Sequence, residues 1–132
     1  MEKTIKSYLD LMVYQNLYKA MIIVHKEIVP FLPKEEKYDL CDQMKRASKA
    51  APALMAEGFA KRYQKRQWKK YLNDVLGECN EMIHHISVCI DIYSSYIDKD
   101  ICLKTINLYD ISSRQITKLG QSWQNYHDKK QD

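Results

Sequence analysis

Glu78 and Glu81 stand three residues apart, with His84 and His85 just beyond them. Carboxylates and imidazoles at helical spacing are the donors of a di-iron centre inside a bundle, but that architecture needs Glu-x-x-His units and further facing carboxylates. Here Glu78-Cys79-Asn80-Glu81 puts a glutamate where the histidine is required, and the first helical stretch offers only Asp10 and Glu27. Adjacent residues on a helix point about 100° apart, so His84 and His85 do not chelate one ion together, and His84 is expected in solvent. The four cysteines, Cys41, Cys79, Cys89 and Cys102, form no CxxC pair and read as free thiols, with Cys79 on the apolar stripe of its helix and Cys89 near its edge as small hydrophobes. There is no glycine-rich phosphate loop, HExxH, GxSxG or EF-hand pattern. The sequence therefore predicts no catalytic residue, no metal and no cofactor: a protein that is not an enzyme.

Charge is the uneven property. Between Gln43 and Lys70 the chain carries Lys45, Arg46, Lys49, Lys61, Arg62, Lys65, Arg66, Lys69 and Lys70 against Glu57 alone, whereas from Tyr71 onward nine acidic residues outnumber six basic ones. The formal net charge of +4 hides that separation. Lys65 and Arg66 fall near an expected helix N-terminus, where cations oppose the helix dipole. Such a cost is easier to understand if a polyanion docks there, and the nine basic residues are the candidate nucleic-acid contacts. Tyr63, Trp68 and Tyr71 interleave with them and offer rings for base stacking. The competing reading is a lysine-rich solvated or protein-docking face with Trp68 in the core. The sequence leaves both open.

Four helical stretches position these groups. In the first, about residues 9–29, Leu9, Val13, Leu17, Ala20, Val24 and Ile28 share one arc. Tyr14, Tyr18 and Ile22 form a second strip on the other side, a candidate subunit interface. Pro30 to Pro33 ends that helix. The second is expected over 33–61, with Leu40, Met44, Ala47, Ala51, Leu54, Met55 and Gly58 buried and Pro52 bending it without ending it. The third, 65–97, repeats Trp68, Leu72, Val75, Cys79, Met82, Ile86, Ile90, Tyr93 and Ile97 at three- and four-residue steps. The fourth is expected over 101–126 with Leu108, Ile116, Leu119, Trp123 and Tyr126 inward, Ser112 interrupting the stripe, and residues 127–132 frayed.

A chain of 132 residues with 3 Gly and 3 Pro has too few turn residues for a sandwich or barrel. The expected fold is all-α, an antiparallel up-down-up-down four-helix bundle forming one domain over 1–132. No apolar run approaches the 18 or so residues of a membrane span, and the N-terminus lacks the pattern of a signal peptide. A cytoplasmic protein without a membrane partner is expected.

The run Phe31-Leu32-Pro33-Lys34-Glu35-Glu36-x-Tyr38-x-Leu40-x-x-Gln43-Met44-Lys45-Arg46-Ala47, then Ala56-Glu57-Gly58 and Lys61-Arg62, resembles a bacterial four-helix-bundle family. Its members were first met as reading frames inside intervening sequences of large-subunit ribosomal RNA. Tyr8-x-Asp10-Leu11-x-Val13-Tyr14-Gln15, Lys65-x-x-Trp68-x-x-Tyr71-Leu72 and Leu76-Gly77-Glu78-Cys79-x-Glu81 are similar to further segments of that family, although Trp usually stands where this chain has Tyr14. The resemblance covers about 90 residues, Tyr8 to Tyr96. Leu119-Gly120-x-x-Trp123 looks instead like the end of a related branch, the accessory proteins of diversity-generating retroelements.

The resemblance implies an up-down-up-down bundle and a ring-like homopentamer. The accessory branch adds RNA and a reverse transcriptase as possible partners. The expected function is a non-catalytic, oligomeric, RNA-associated accessory protein; the alternative is a structural or protein-docking module, for example one that binds a reverse transcriptase without touching nucleic acid. Gln43 and Arg46 carry over from the family's Gln-x-x-Arg, in packing, at an interface or on RNA. Glu57 is expected to pair with Lys61 one turn on or with a neighbouring subunit's arginine.

Overall fold

The computed structural model describes residues 4–130. Among them lie four α-helices and no strand: α1 (Met12–Ile23), α2 (Leu40–Ala60), α3 (Gln67–Ile92) and α4 (Lys99–Lys130). Helices α1 and α2, α2 and α3, α3 and α4, and α4 and α1 pack as neighbours, closing a four-membered ring. Single contacts fix the direction of each pair. His25, just past α1, meets Ser48 early in α2 at 3.1 Å, and Cys89 near the end of α3 meets Met44 near the start of α2 at 3.8 Å. Trp68 at the start of α3 packs on Trp123 late in α4. Met12 and Val13 at the start of α1 line a groove with Leu119 and Ser122 late in α4, whereas Lys26 beyond α1 lines one with Ile101 at the start of α4. Every neighbouring pair is antiparallel, as an up-down-up-down bundle requires.

The first helix is less regular than its periodicity predicts. Ser7 caps a short 3-10 turn at Tyr8–Asp10, Leu11 is extended at φ −74° and ψ 126°, and α1 starts only at Met12. The extended residue shifts the phase of the chain, so Leu11 is buried and Leu9, expected inward, is 56% exposed. Beyond α1 a π-helical turn at Val24–Ile28 and a 3-10 turn at Val29–Phe31 follow. The widened turn lets Val24, Ile28 and Val29 all bury before Leu32.

Helix α2 also starts later than Pro33. Lys34–Glu36 form one 3-10 turn, and Asp39 leaves the helical region at φ −125° and ψ −97°. Its carbonyl accepts from the Gln43 amide at 3.0 Å and its carboxylate from Gln43 Nε2 at 2.7 Å, so both groups tie Asp39 to the first turn of α2. Pro52 is buried inside a helix that continues unbroken to Ala60, as the in-phase stripe predicts. Leu54 is only half-buried and Phe59 takes up part of the core face.

Helix α3 ends at Ile92, five residues short of expectation. Tyr93 stops it, leaving helical geometry while its hydroxyl donates to Glu36 at 2.6 Å across the bundle end. Ile97 is buried from the following turn, and Ile90 is half-buried where Cys89 is fully buried. Asp98 then caps α4, accepting from the amides of Asp100 at 2.9 Å and Ile101 at 3.2 Å.

The core face of α4 is Cys102, Thr105, Tyr109, Ser112 and Ile116. Ser112 does not interrupt this stripe; it belongs to it. Thr105 Oγ1 and Ser112 Oγ return hydrogen bonds to the carbonyls of Ile101 and Leu108, at 2.7 and 2.8 Å, so the hydroxyls are satisfied inside the core. That rotation leaves Leu108, Leu119 and Trp123 half-buried and Tyr126 exposed. Nor do residues 127–130 fray: they continue the helix, and His127 is buried. Residues 131 and 132 lie outside the described residues. No helix is long and apolar enough to cross a membrane among the described residues.

Candidate nucleic-acid interface

The basic segment lies where α2 ends and α3 begins. At the α2 terminus the Lys61 amide reaches the carbonyls of Glu57 and Gly58, both at 3.1 Å, closing the helix. Arg62 Nη1 donates to the Phe59 carbonyl at 2.7 Å, and its guanidinium stands 3.7 Å from the Phe59 ring centroid and 4.3 Å from that of Tyr63. Arg62 is thus part of the helix end as well as of the charged surface.

Helix α3 starts after Arg66, whose side chain makes no capping bond. Lys65, Arg66, Lys69 and Lys70 therefore crowd the positive pole of a 26-residue helix, with no carboxylate in its first turn. Lys70 pairs with Asp74 at 3.1 Å. No ion pair engages Lys61, Lys65, Arg66 or Lys69 among the described residues. Uncompensated cations at a helix N-terminus are an arrangement that a phosphate relieves.

The end of α4 closes over this junction. Trp68 is 3% exposed, stacked on His127 with ring centroids 5.7 Å apart and planes 8° from parallel, and edge-on to Trp123 at 6.0 Å. Among the three aromatics proposed for base stacking, Trp68 is therefore core, Tyr71 is half-buried, and Tyr63 is exposed beside Tyr126 at 5.4 Å. His127 Nε2 is 2.7 Å from the Arg62 carbonyl. The same helix end brings Lys129 and Lys130 to the basic pole, two cations that a frayed tail would have left without a fixed position.

Lys45, Arg46 and Lys49 are exposed on α2 but lie farther up the bundle. Twelve residues separate Lys49 from Lys61, about 18 Å of helix. The structure thus divides the nine cations into a polar cluster of six and a lateral group of three, in which Arg46 is tied to Asp42 at 3.1 Å.

Beside that lateral group, Gln43, Arg46, Glu78 and Glu81 line a groove of about 270 Å³ between α2 and α3. Burial pushes the Glu78 carboxyl above the usual carboxylate range, and the neighbouring Glu81 raises it further. His85, buried on the same helix, approaches Glu81 Oε1 at 3.6 Å, while His84 is exposed. Two carboxylates thus line this groove, whereas the first turn of α3 at the polar cluster has none. Among the described residues no three His, Cys, Asp or Glu side chains are grouped to hold a metal ion. The four cysteines are free and buried.

The 23S rRNA-intervening sequence protein family matches residues 9–118. The chain belongs to that family. No curated protein matches it. The family match takes in all of α2 and α3 but stops before Leu119, so the α4 end that carries Trp123, His127, Lys129 and Lys130 lies beyond it. Within the matched part, Gly58 sets the α2–α3 spacing: a Cβ there would stand 3.0 Å from Tyr71 Cβ. Glu57 forms no ion pair with Lys61 in this member of the family.

The interface strip sits on α1. Tyr14 is half-buried, with its ring edge-on to Tyr8 at 4.8 Å, while Tyr18 is 47% and Ile22 38% exposed. Leu9 and Met12 extend the apolar exposure of that helix beyond what periodicity suggests.

Proposed function

We propose that this intervening-sequence protein is a non-catalytic, RNA-associated accessory protein that binds RNA at the basic pole of its bundle. One observation carries the reading: Lys61, Lys65, Arg66 and Lys69, free of ion pairs among the described residues, share one end of the molecule with Lys129 and Lys130. Several phosphates contacted together make affinity steeply salt-dependent. Fluorescence anisotropy with a structured RNA at 50 and 200 mM salt tests it, using Lys65→Glu, Arg66→Glu and Lys69→Glu. Arg62 is left intact because its guanidinium holds the α2 end. The triple reversal should weaken binding by at least about a hundredfold and flatten the salt slope. Binding indifferent to both salt and reversal overturns the reading.

Assembly belongs to the same proposal. Tyr18 and Ile22, with Tyr14 beneath them, form a strip that gains by burial, about 1.5–3 kcal/mol for each fully buried apolar side chain before the association entropy is subtracted. A homopentamer is the arrangement the family resemblance implies, and a ring would gather five basic poles into one multivalent surface. Light scattering coupled to size exclusion decides it. A mass near 15.7 kDa rejects association, and a dimer or tetramer keeps the interface but rejects the ring.

A further inference from the structure

A groove of about 420 Å³ opens between α3 and α4 next to the basic pole. Its floor is apolar, formed by Trp68, Leu72 and Ile116, and its rim carries the amides of Asn73, Gln121 and Asn125. None of those three amides has a hydrogen-bond partner within the described chain. Lys69 is the only charged residue lining the groove, and it also belongs to the polar cluster. Gly120 keeps the space open: a Cβ there would meet Leu72 Cδ1 at 3.6 Å, ordinary contact, so only a larger side chain would fill the groove.

We propose, building on the RNA reading above, that this groove receives one unpaired nucleobase of the bound strand. A base is a flat, uncharged ring system with donors and acceptors along its edge. It suits an apolar floor bordered by side-chain amides, each of which offers both a donor and an acceptor. Its phosphate is the part that needs a cation, and Lys69 stands at the mouth with Lys65 one turn away. No carboxylate lines the groove to repel the strand. A base already paired in a duplex has its edge occupied and its ring stacked, so the groove selects unpaired segments. An apolar helix of a protein partner would fit the floor but leaves the amide rim and Lys69 unused.

Trp68 lines this groove and Trp123 packs edge-on against Trp68, so emission from the chain's two tryptophans reports on the groove. Titration with 5′-AMP should shift the emission saturably, whereas ribose 5-phosphate, which lacks the base, should not. In parallel, a single-stranded oligoadenylate and a duplex with the same number of phosphates are compared by anisotropy. Asn73→Ala with Gln121→Ala, on exposed residues that leave the core intact, should weaken single-strand binding by about tenfold and leave duplex binding within about twofold. Gly120→Leu should act in the same direction. If AMP is silent, or the amide variant binds the single strand like wild type while Lys65→Glu and Lys69→Glu weaken it, the base site is overturned and the basic pole stands. If wild type binds neither polymer, both fall. If Gly120→Leu alone has an effect, through loss of self-association in light scattering, a protein occupies the groove and the base site is overturned.

Discussion

His127 Nε2 donates to the carbonyl oxygen of Arg62 at 2.7 Å, joining residues 65 positions apart. The bond supplies a donor to the chain just past α2, where no helical amide follows, and the same imidazole stacks flat on Trp68. One residue near the C-terminus thereby holds the connection that carries the basic pole. His127→Ala should cost about 1–2.5 kcal/mol, combining a hydrogen bond with an aromatic contact. Urea unfolding measures the loss, and faster amide exchange over residues 120–130 should accompany it. Unchanged stability would mean that the end of α4 is not docked in solution.

The two glycines of the α2–α3 pair should respond with opposite signs. Gly58→Ala gains helix propensity, about 1 kcal/mol. Its new Cβ, however, meets Tyr71 Cβ at 3.0 Å, an atom that side-chain rotation cannot move, so α2 and α3 must part. Overpacking of about 1–3 kcal/mol then dominates, and the variant should be less stable than wild type. Gly77 has nothing within 4 Å of its would-be Cβ, and Gly77→Ala should stabilise by about 0.5–1 kcal/mol. Denaturation midpoints of the two variants, measured side by side, check the contrast.

Much of this was legible in the sequence because long apolar periods survive folding. The α3 stripe from Trp68 to Ile86 and the small-residue face of α2 are where the spacing puts them. The failures have local causes. Leu9 turns outward because one extended residue, Leu11, resets the helical phase, which no periodicity reveals. Ser112 reads as a gap until its hydroxyl is seen bonded to Leu108, and the phase error that follows puts Tyr126 inward instead of His127. The basic segment was plain from composition, but its division into a pole and a lateral group depends on where α2 ends. The α4 lysines were missed because a polar tail looks frayed; the four-residue spacing of Trp123 and His127 and the Gln124–Asp128 bond at 2.8 Å are the signals of continued helix.

His25 should make the bundle sensitive to mild acid. Desolvation lowers its pKa below 6.5, and Lys49 and Lys45 act in the same direction, against a hydrogen bond that the imidazole donates to the Lys45 backbone. The unfolded state therefore binds the proton more readily than the native state. Stability is complete above about pH 6.5 and declines as the pH falls through that value toward the lower native pKa. His25→Gln retains a hydrogen-bonding group for Ser48 and removes the titration. Urea midpoints at pH 7.5 and 5.5 should fall more in wild type than in the variant.

The thiols should be inert while the bundle is folded. Burial pushes Cys79 and Cys102 up to about 11 and Cys89 to about 12, and raises Cys41 as well. Thiolate is then scarce at pH 8, and access is closed besides. A chromogenic disulfide reagent should titrate four thiols in guanidinium and react with none on the same timescale in buffer. Rapid labelling of the native protein would place one cysteine at a surface that opens.

Tyr109 sits wholly inside the core with a hydroxyl that has no hydrogen-bond partner. Desolvation, with Cys79 and Glu78 nearby, raises its pKa far out of range, so the group stays neutral and the unmade bond is its only electrostatic effect. Leaving a hydroxyl buried without a partner costs about 1–3 kcal/mol, while the ring itself fills space between α3 and α4. Tyr109→Phe keeps the ring and removes the orphan oxygen, so it should raise stability by about 1 kcal/mol and the melting temperature by roughly 3–5 °C. Tyr109→Ala should instead lose about 3–5 kcal/mol, because the ring's contacts go and a cavity remains. Thermal melts of the pair separate the two contributions. A destabilised Tyr109→Phe would show that the hydroxyl has a partner in solution, with an enclosed water the group able to supply one.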